Sequence, residues 1–251
     1  MIVLAIGAVT VGLLAAAYWL LLSSFSQVLG AFPYRGATTE RVVALTFDDG
    51  PNEPYTSQIA AVLAEYQVRA TFFQVGCCVQ RFPETTAALV RVGHVVGNHS
   101  QSHRARRYVT QPGFGWELDA AQAQLKKVVG RRPALFRPPW LWRQPWLLRS
   151  ARRRGLQPVS GVFGDMLEPL QPSGAHMARR ALAKVRPGII LIFHDGYNGN
   201  GARRAATVDA VKIVVPALLA QGYRFVTVDE LLKVPAYQPD PHQGSRRRSH
   251  F

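Results

Sequence analysis

Residues 41–51 read RVVALTFDDGP. The run from Val42 to Phe47 is nearly continuous in apolar side chains and stops at a Gly-Pro turn. That pattern predicts a strand covered on both faces, as in a parallel sheet with helices packed on each side. Two carboxylates, Asp48 and Asp49, stand at the carboxyl end of this strand. Adjacent carboxylates repel each other, and at a strand end they are partly desolvated. A cation bound by one of them would offset that cost.

The same beat repeats along the chain. Strand-like runs are RVVALTF, ATFFQVG, GHVVGN, ALFRPP, LQPVSGVF, GIILIFH and RFVTVDE. Helical patterns separate them at Tyr55–Tyr66, Glu84–Val92, Trp116–Val129, Pro145–Arg154, Gly174–Val185 and Ala206–Gln221. About seven strands alternating with helices predict a parallel α/β domain over residues 41–233, because parallel strands need crossover connections. A barrel and an open sheet both fit this pattern. In either, chemistry belongs at the carboxyl ends of the strands.

Outside that domain, residues 1–22 hold an uncharged stretch, Ile2 to Leu22, long enough to cross a bilayer as a helix. No Lys or Arg precedes it and no clean small-x-small cleavage site follows. An uncleaved transmembrane signal anchor is therefore expected, with a cleaved signal peptide and secretion as the alternative. Residues 23–40 read as a linker, and residues 234–251, rich in Pro and basic residues, as a disordered tail. Cys77 and Cys78 are the only cysteines; being adjacent, they cannot tie distant elements together and read as small buried residues at a strand edge. The formal charge of +15 is carried by scattered arginines, with no nucleic-acid motif beside them. It favours anionic envelope polymers or a phospholipid surface as partners and excludes no fold.

The strand ends collect polar groups. His99 and His103 follow the third strand, four residues apart, a spacing that on a helical turn puts both imidazoles on one face. Arg137 follows the fourth, Asp165 the fifth, and His194 and Asp195 the sixth. Two histidines and one carboxylate of the Asp48–Asp49 pair make a metal site with open positions, able to activate a water and polarise a carbonyl. The other aspartate is then placed as general base, and His194 as the acid for a leaving nitrogen.

TFDDGP, HSQSH, RPPW, the segment around Asp165 and FHD stand in the order of the five motifs of the polysaccharide deacetylases, the NodB-homology or carbohydrate esterase family 4 enzymes, which this chain resembles from about Arg41 to Leu232. The resemblance implies a distorted (β/α) barrel of about seven parallel strands. It implies removal of acetyl groups from glycans such as peptidoglycan, chitin or xylan with a divalent metal, most often zinc, with cobalt, manganese or nickel as alternatives. By position it makes Asp48 the base and Asp49, His99 and His103 the metal ligands. Arg137 becomes the residue that orients the base, the backbone N–H of Trp140 an oxyanion donor, His194 the acid and Asp165 the carboxylate that tunes it. Val162 and Met166 depart from the Asp-x-x-Asp-Trp pattern of the family, and Ile192 stands where Leu is usual at the acetyl pocket.

Three functions follow as expectations. The first is a monomeric, membrane-anchored N-deacetylase acting outside the cell on an acetylated envelope glycan. The second is a deacylase of a lipid-linked sugar or glycolipid, which the anchor would suit. The third is a non-catalytic glycan-binding protein, against which the intact metal and acid residues argue.

Overall fold

The structure, a computed structural model, describes residues 1–239 apart from the side chains at 2, 3, 21, 22, 111, 112 and 145. The strands are β1 (Val42–Asp48), β2 (Thr71–Gln74), β3 (Val95–Asn98), β4 (Leu135–Phe136), β5 (Gln157–Pro158), β6 (Val162–Phe163), β7 (Ile189–His194) and β8 (Arg224–Phe225). The helices are α1 (Ile2–Leu22), α2 (Tyr55–Glu65), α3 (Gly76–Arg81), α4 (Pro83–Arg91), α5 (Ala105–Tyr108), α6 (Gln111–Val129), α7 (Pro145–Arg153), α8 (Gly174–Leu182), α9 (Ala205–Ala220) and α10 (Val228–Leu232). All strand pairings between these elements are parallel, in the order β5-β4-β3-β2-β1-β7-β6. β8 pairs with the first residues of β1, at Val42 and Val43, below the point where β2 begins to pair at Thr46.

The barrel expected from the sequence does not close: among the described residues its two ends, β5 and β6, do not pair. The run LQPVSGVF, expected as one strand, is broken into two short ones at Val159–Gly161. The chain from the supposed linker fills this side. Pro33 O accepts from Ser160 N at 2.9 Å, Tyr34 O accepts from Ile190 N at 3.1 Å, and Arg35 bridges Ile189. Phe32 and Ser26 are buried, and Arg143 donates to the carbonyls of Ser23 and Ser26. Residues 23–36 are thus docked onto the domain.

Strand periodicity decides which side chains meet. Val43, Leu45 and Phe47 of β1 and Ile189, Leu191 and Phe193 of β7 pack under α2, α8 and α9 with Ile59, Leu63, Val211 and Leu218. The alternate residues, Thr46 and Asp48 on β1 and Ile192 and His194 on β7, point to the opposite, inner face. The register pairs Thr46 with Ile192 and Asp48 with His194.

α1 is a continuous helix of 21 residues without charge. Its described side chains run from residue 4 to residue 20, and those from Leu4 to Trp19 are exposed. Among the described residues, which leave out the first two and last two of α1, no helix is long and apolar enough to cross a membrane. At the other end, the tail expected to be disordered from Val234 is paired at its start: Ala236 O accepts from Ala134 N at 2.8 Å and Tyr237 bridges Pro133. Residues 240–251 lie outside the described residues. The two cysteines begin α3, not a strand edge; the Cys78 thiol donates to Gly199 O at 3.3 Å.

Candidate active site

Asp48 and Asp49 are neighbours in sequence but serve different partners. Asp48 keeps the strand conformation and faces inward, two residues above Thr46 on the same face. Arg137, fully buried just beyond β4, reaches both: Nη1 donates to Thr46 Oγ1 and to Asp48 Oδ1, each at 2.7 Å. Its Nη2 donates to Ser160 O at 2.8 Å, and its guanidinium lies 4.2 Å from the Phe73 ring centre. Burial lowers the Arg137 pKa, and the Asp48 carboxylate opposes that. Removing either partner would leave a buried charge alone, at a cost of about 3–5 kcal/mol.

Asp49 leaves the strand with φ 76°, a left-handed conformation that Asp tolerates better than most residues. The turn swings its carboxylate away from Arg137. Gly50 follows because a Cβ there would sit 2.0 Å from Asp195 Oδ2. Asp49 Oδ2 accepts from Asn198 N at 2.9 Å. Asp49 Oδ1 lies 3.3 Å from His99 Nε2 and 3.1 Å from His103 Nε2, yet this buried atom has no hydrogen-bond partner.

That arrangement fits a cation. His99 Nδ1 sits 2.7 Å from Arg137 O, and a carbonyl can only accept, so the proton is on Nδ1 and Nε2 turns a lone pair toward Asp49. The ligating atoms of Asp49, His99 and His103 lie within 4.8 Å of one another, and all three residues are buried. The site's negative potential shows on Asp195: burial, with Asp49 and Asp48 nearby, pushes its carboxyl up to about 7 against a 2.6 Å hydrogen bond from Thr56. Two histidines and one carboxylate are a donor set suited to zinc and other divalent transition metals.

The histidine spacing works differently from the expected helical turn. His99 follows directly on β3, and residues 100–103 form a non-helical bend with Ser100 at φ 73° and His103 at φ 51°. Asn98 Oδ1 accepts from Ser100 N, Ser100 Oγ accepts from His103 N, and buried Glu117 holds both the N–H and the hydroxyl of Ser102. The polar side chains of the HSQSH stretch and its neighbours build this bend.

Across the sheet, His194 is held by a residue absent from the expectations. Glu168 is fully buried; its Oε2 lies 2.8 Å from His194 Nδ1, and its Oε1 accepts from His194 N at 2.9 Å and from Thr207 Oγ1 at 3.0 Å. Burial would lower the His194 pKa. The charge and hydrogen bond of Glu168, with Asp49 and Asp48 behind them, outweigh it and raise the pKa to about 9. Asp165, expected to tune His194, pairs instead with His176 at 3.3 Å. A signal for Glu168 existed in the sequence: it is the one charge in the apolar stretch MLEPL.

These groups open into a cavity of ≈ 350 Å³ whose walls include Trp140, Trp142, Phe163 and Met166, and also Tyr18 from α1. Trp140 packs edge-on against His103 with ring centres 4.4 Å apart, and Phe163 lies parallel to the His194 ring at 6.0 Å. Ile192, expected at the acetyl pocket, is fully buried beneath His194 and packs with Phe136 and Leu147, outside the cavity lining.

The polysaccharide deacetylase family model matches residues 35–159. A peptidoglycan-N-acetylglucosamine deacetylase of Bacillus cereus is 32% identical over 215 residues, 85% of this chain and 99% of that one. The chain belongs to the polysaccharide deacetylase family. A chitooligosaccharide deacetylase of Azorhizobium caulinodans is 31% identical over 72% of this chain and 90% of its own length. The crystal structure of a peptidoglycan N-acetylglucosamine deacetylase superposes with a TM-score of 0.77 at 27% identity, covering 83% of this chain and 95% of the other. As a member of this family the deacetylase is a metal-dependent enzyme that cleaves the amide carbon–nitrogen bond of an acetylated sugar.

Proposed function

We propose that this deacetylase removes N-acetyl groups from glucosamine units of a cell-envelope glycan, with Asp48 as base, His194 as acid and zinc as the usual metal. The observation that carries this is the pairing of Asp48 with His194 on the inner faces of β1 and β7, with the Asp49–His99–His103 cluster beside them. The named substrates of the relatives support the substrate class.

Asp49, His99 and His103 would hold a divalent cation, which would lower the pKa of a water and polarise the acetyl carbonyl. Asp48, fixed by Arg137, takes one proton from water as its oxygen adds to the carbonyl carbon. In this reading the backbone N–H of Trp140 donates to the oxyanion. His194 then gives the Nε2 proton to the sugar nitrogen as the carbon–nitrogen bond breaks, leaving acetate and a free amine. Glu168 holds the imidazole by Nδ1, so that Nε2 faces the cavity. Asp48→Asn still accepts from Arg137 but leaves its charge unpaired, so it is expected to lower stability, to keep the metal in the folded protein and to lower the rate of acetate release from an acetylated chitooligosaccharide by about 10²–10⁴-fold. Turnover near wild type in that variant would remove Asp48 as the base.

We further propose that α1 anchors the enzyme in the cytoplasmic membrane with the domain outside, in support of which stand its length and lack of charge. Protease added to intact cells should then digest the domain. Full protection, alongside a digested surface protein and a protected cytoplasmic one, would reverse the orientation.

A further inference from the structure

Resting on the deacetylase assignment above, we infer that a second cavity, at the foot of α1, seats the phosphate of a lipid-linked glycan, so that the substrate is presented on a long-chain lipid phosphate. This cavity has a volume of ≈ 600 Å³ and shares Tyr18, Phe163 and Met166 with the catalytic one. One part of its wall is apolar, with Phe25, Tyr34 and Val162. Arg35, Lys184 and Arg186 supply three cations to the rest.

Among the described residues none of the three is paired with a carboxylate. Two donate to backbone carbonyls instead. Lys184 Nζ donates to Phe163 O at 2.7 Å and Gly164 O at 3.0 Å, and Arg186 Nη1 donates to Val185 O at 2.6 Å and Ala183 O at 3.2 Å. Carbonyls accept from these cations without neutralising them, Asp165 acts on Lys184 only through space, and cations lining one cavity suit a phosphate. A neutral acetylated polymer offers nothing to match them.

The lipid half of the ligand has its counterpart in α1. This uncharged helix contributes Tyr18 to both cavities and exposes Leu13, Leu14 and Trp19 above them. The segment after it is fastened to the domain rather than left as a tether: Ser160 Oγ donates to Ser24 O at 2.8 Å, Arg143 holds the carbonyls of Ser23 and Ser26, and Phe32 is buried. Such an attachment keeps the cavity mouth beside the apolar helix, where a lipid carrier would lie. It gives little reach into a thick polymer.

The test uses the full metal-loaded chain in detergent micelles with three forms of one sugar: free N-acetylglucosamine oligosaccharide, the same sugar on a neutral alkyl chain, and the same sugar joined through diphosphate to a polyprenol. Acetate release should favour the diphosphate-linked form in kcat/KM by about tenfold or more over both others, the gain expected of one charge-assisted contact. In Arg35→Gln the preference for the diphosphate-linked over the alkyl-linked form should fall by about tenfold, through KM. Equal kcat/KM on the diphosphate and alkyl forms by the wild-type enzyme would overturn the phosphate site even if the variant failed to fold. A preference unchanged in a folded Arg35→Gln would do the same. Acetate released from the free sugar with no preference for the lipid phosphate sinks this inference alone; no acetate from any form, with the metal bound, sinks the N-deacetylase assignment and this inference with it.

Discussion

His103→Ala is expected to lose the metal and to reduce acetate release to background, a fall of more than about 10⁴-fold, the upper end of what one proton-transfer group contributes. The reason lies in the unsatisfied Asp49 Oδ1, which faces Nε2 of both His99 and His103 with no hydrogen-bond partner of its own. Removing one imidazole leaves two protein ligands, too few for the three that a catalytic zinc site normally uses. His99→Ala should behave alike and, because His99 Nδ1 also binds Arg137 O, should disturb the base as well. Metal content after equilibrium dialysis checks this, with circular dichroism to show that the fold survives. One equivalent retained at unchanged affinity in both variants would exclude these ligands.

Glu168→Gln should give a smaller loss with a distinct signature. His194 carries its proton up to about pH 9 because Glu168 outweighs the penalty of burial. An acid that must be protonated works below its pKa, so the wild-type rate should hold through neutrality and fall as pH rises through about 9. A bound cation opposes the help that Asp49 and Asp48 give, which leaves Glu168 as the main support of that proton. Glutamine keeps the shape but not the charge, so the basic limb should move down toward or below the ordinary value of 6.5. At pH 8 the rate should drop by about 10–10²-fold, because that pH then lies about one to two units above the His194 pKa instead of below it. Metal content should not change. Asp165→Asn, by contrast, should leave the limb in place, because Asp165 pairs with His176. A limb unmoved in metal-loaded Glu168→Gln would remove Glu168 from this role.

Long apolar runs made the centre of the fold legible. VVALTF and IILIFH are continuous because β1 and β7 are covered on both faces, and their ends marked Asp48 and His194 directly. The inward alternation of Thr46 with Asp48, and of Ile192 with His194, then fixed the meeting of Asp48 and His194. The edges were harder to read. LQPVSGVF looks like one strand, but only Gln157–Pro158 and Val162–Phe163 pair, because Ser160 between them bonds to Pro33 and Arg137 instead. Residues 23–36 have the composition of a tether; their docking depends on Phe32, Arg143 and Ser160, which are far apart in sequence. Glu168 was obscured by Asp165, three residues earlier, which occupies the expected motif position. Ile192 was assigned by position in the motif, although its alternation with His194 along β7 places it one layer below the cavity.

Hydrolysis of a sugar N-acetyl amide is tested most directly by counting both products in one sample. Metal-loaded enzyme acting on an N-acetylglucosamine-containing glycan should release acetate and expose new primary amines in equal numbers, with neither formed by His103→Ala. Acetate without matching amines would place the reaction on an ester, and the absence of both from a folded, metal-loaded enzyme would contradict the account.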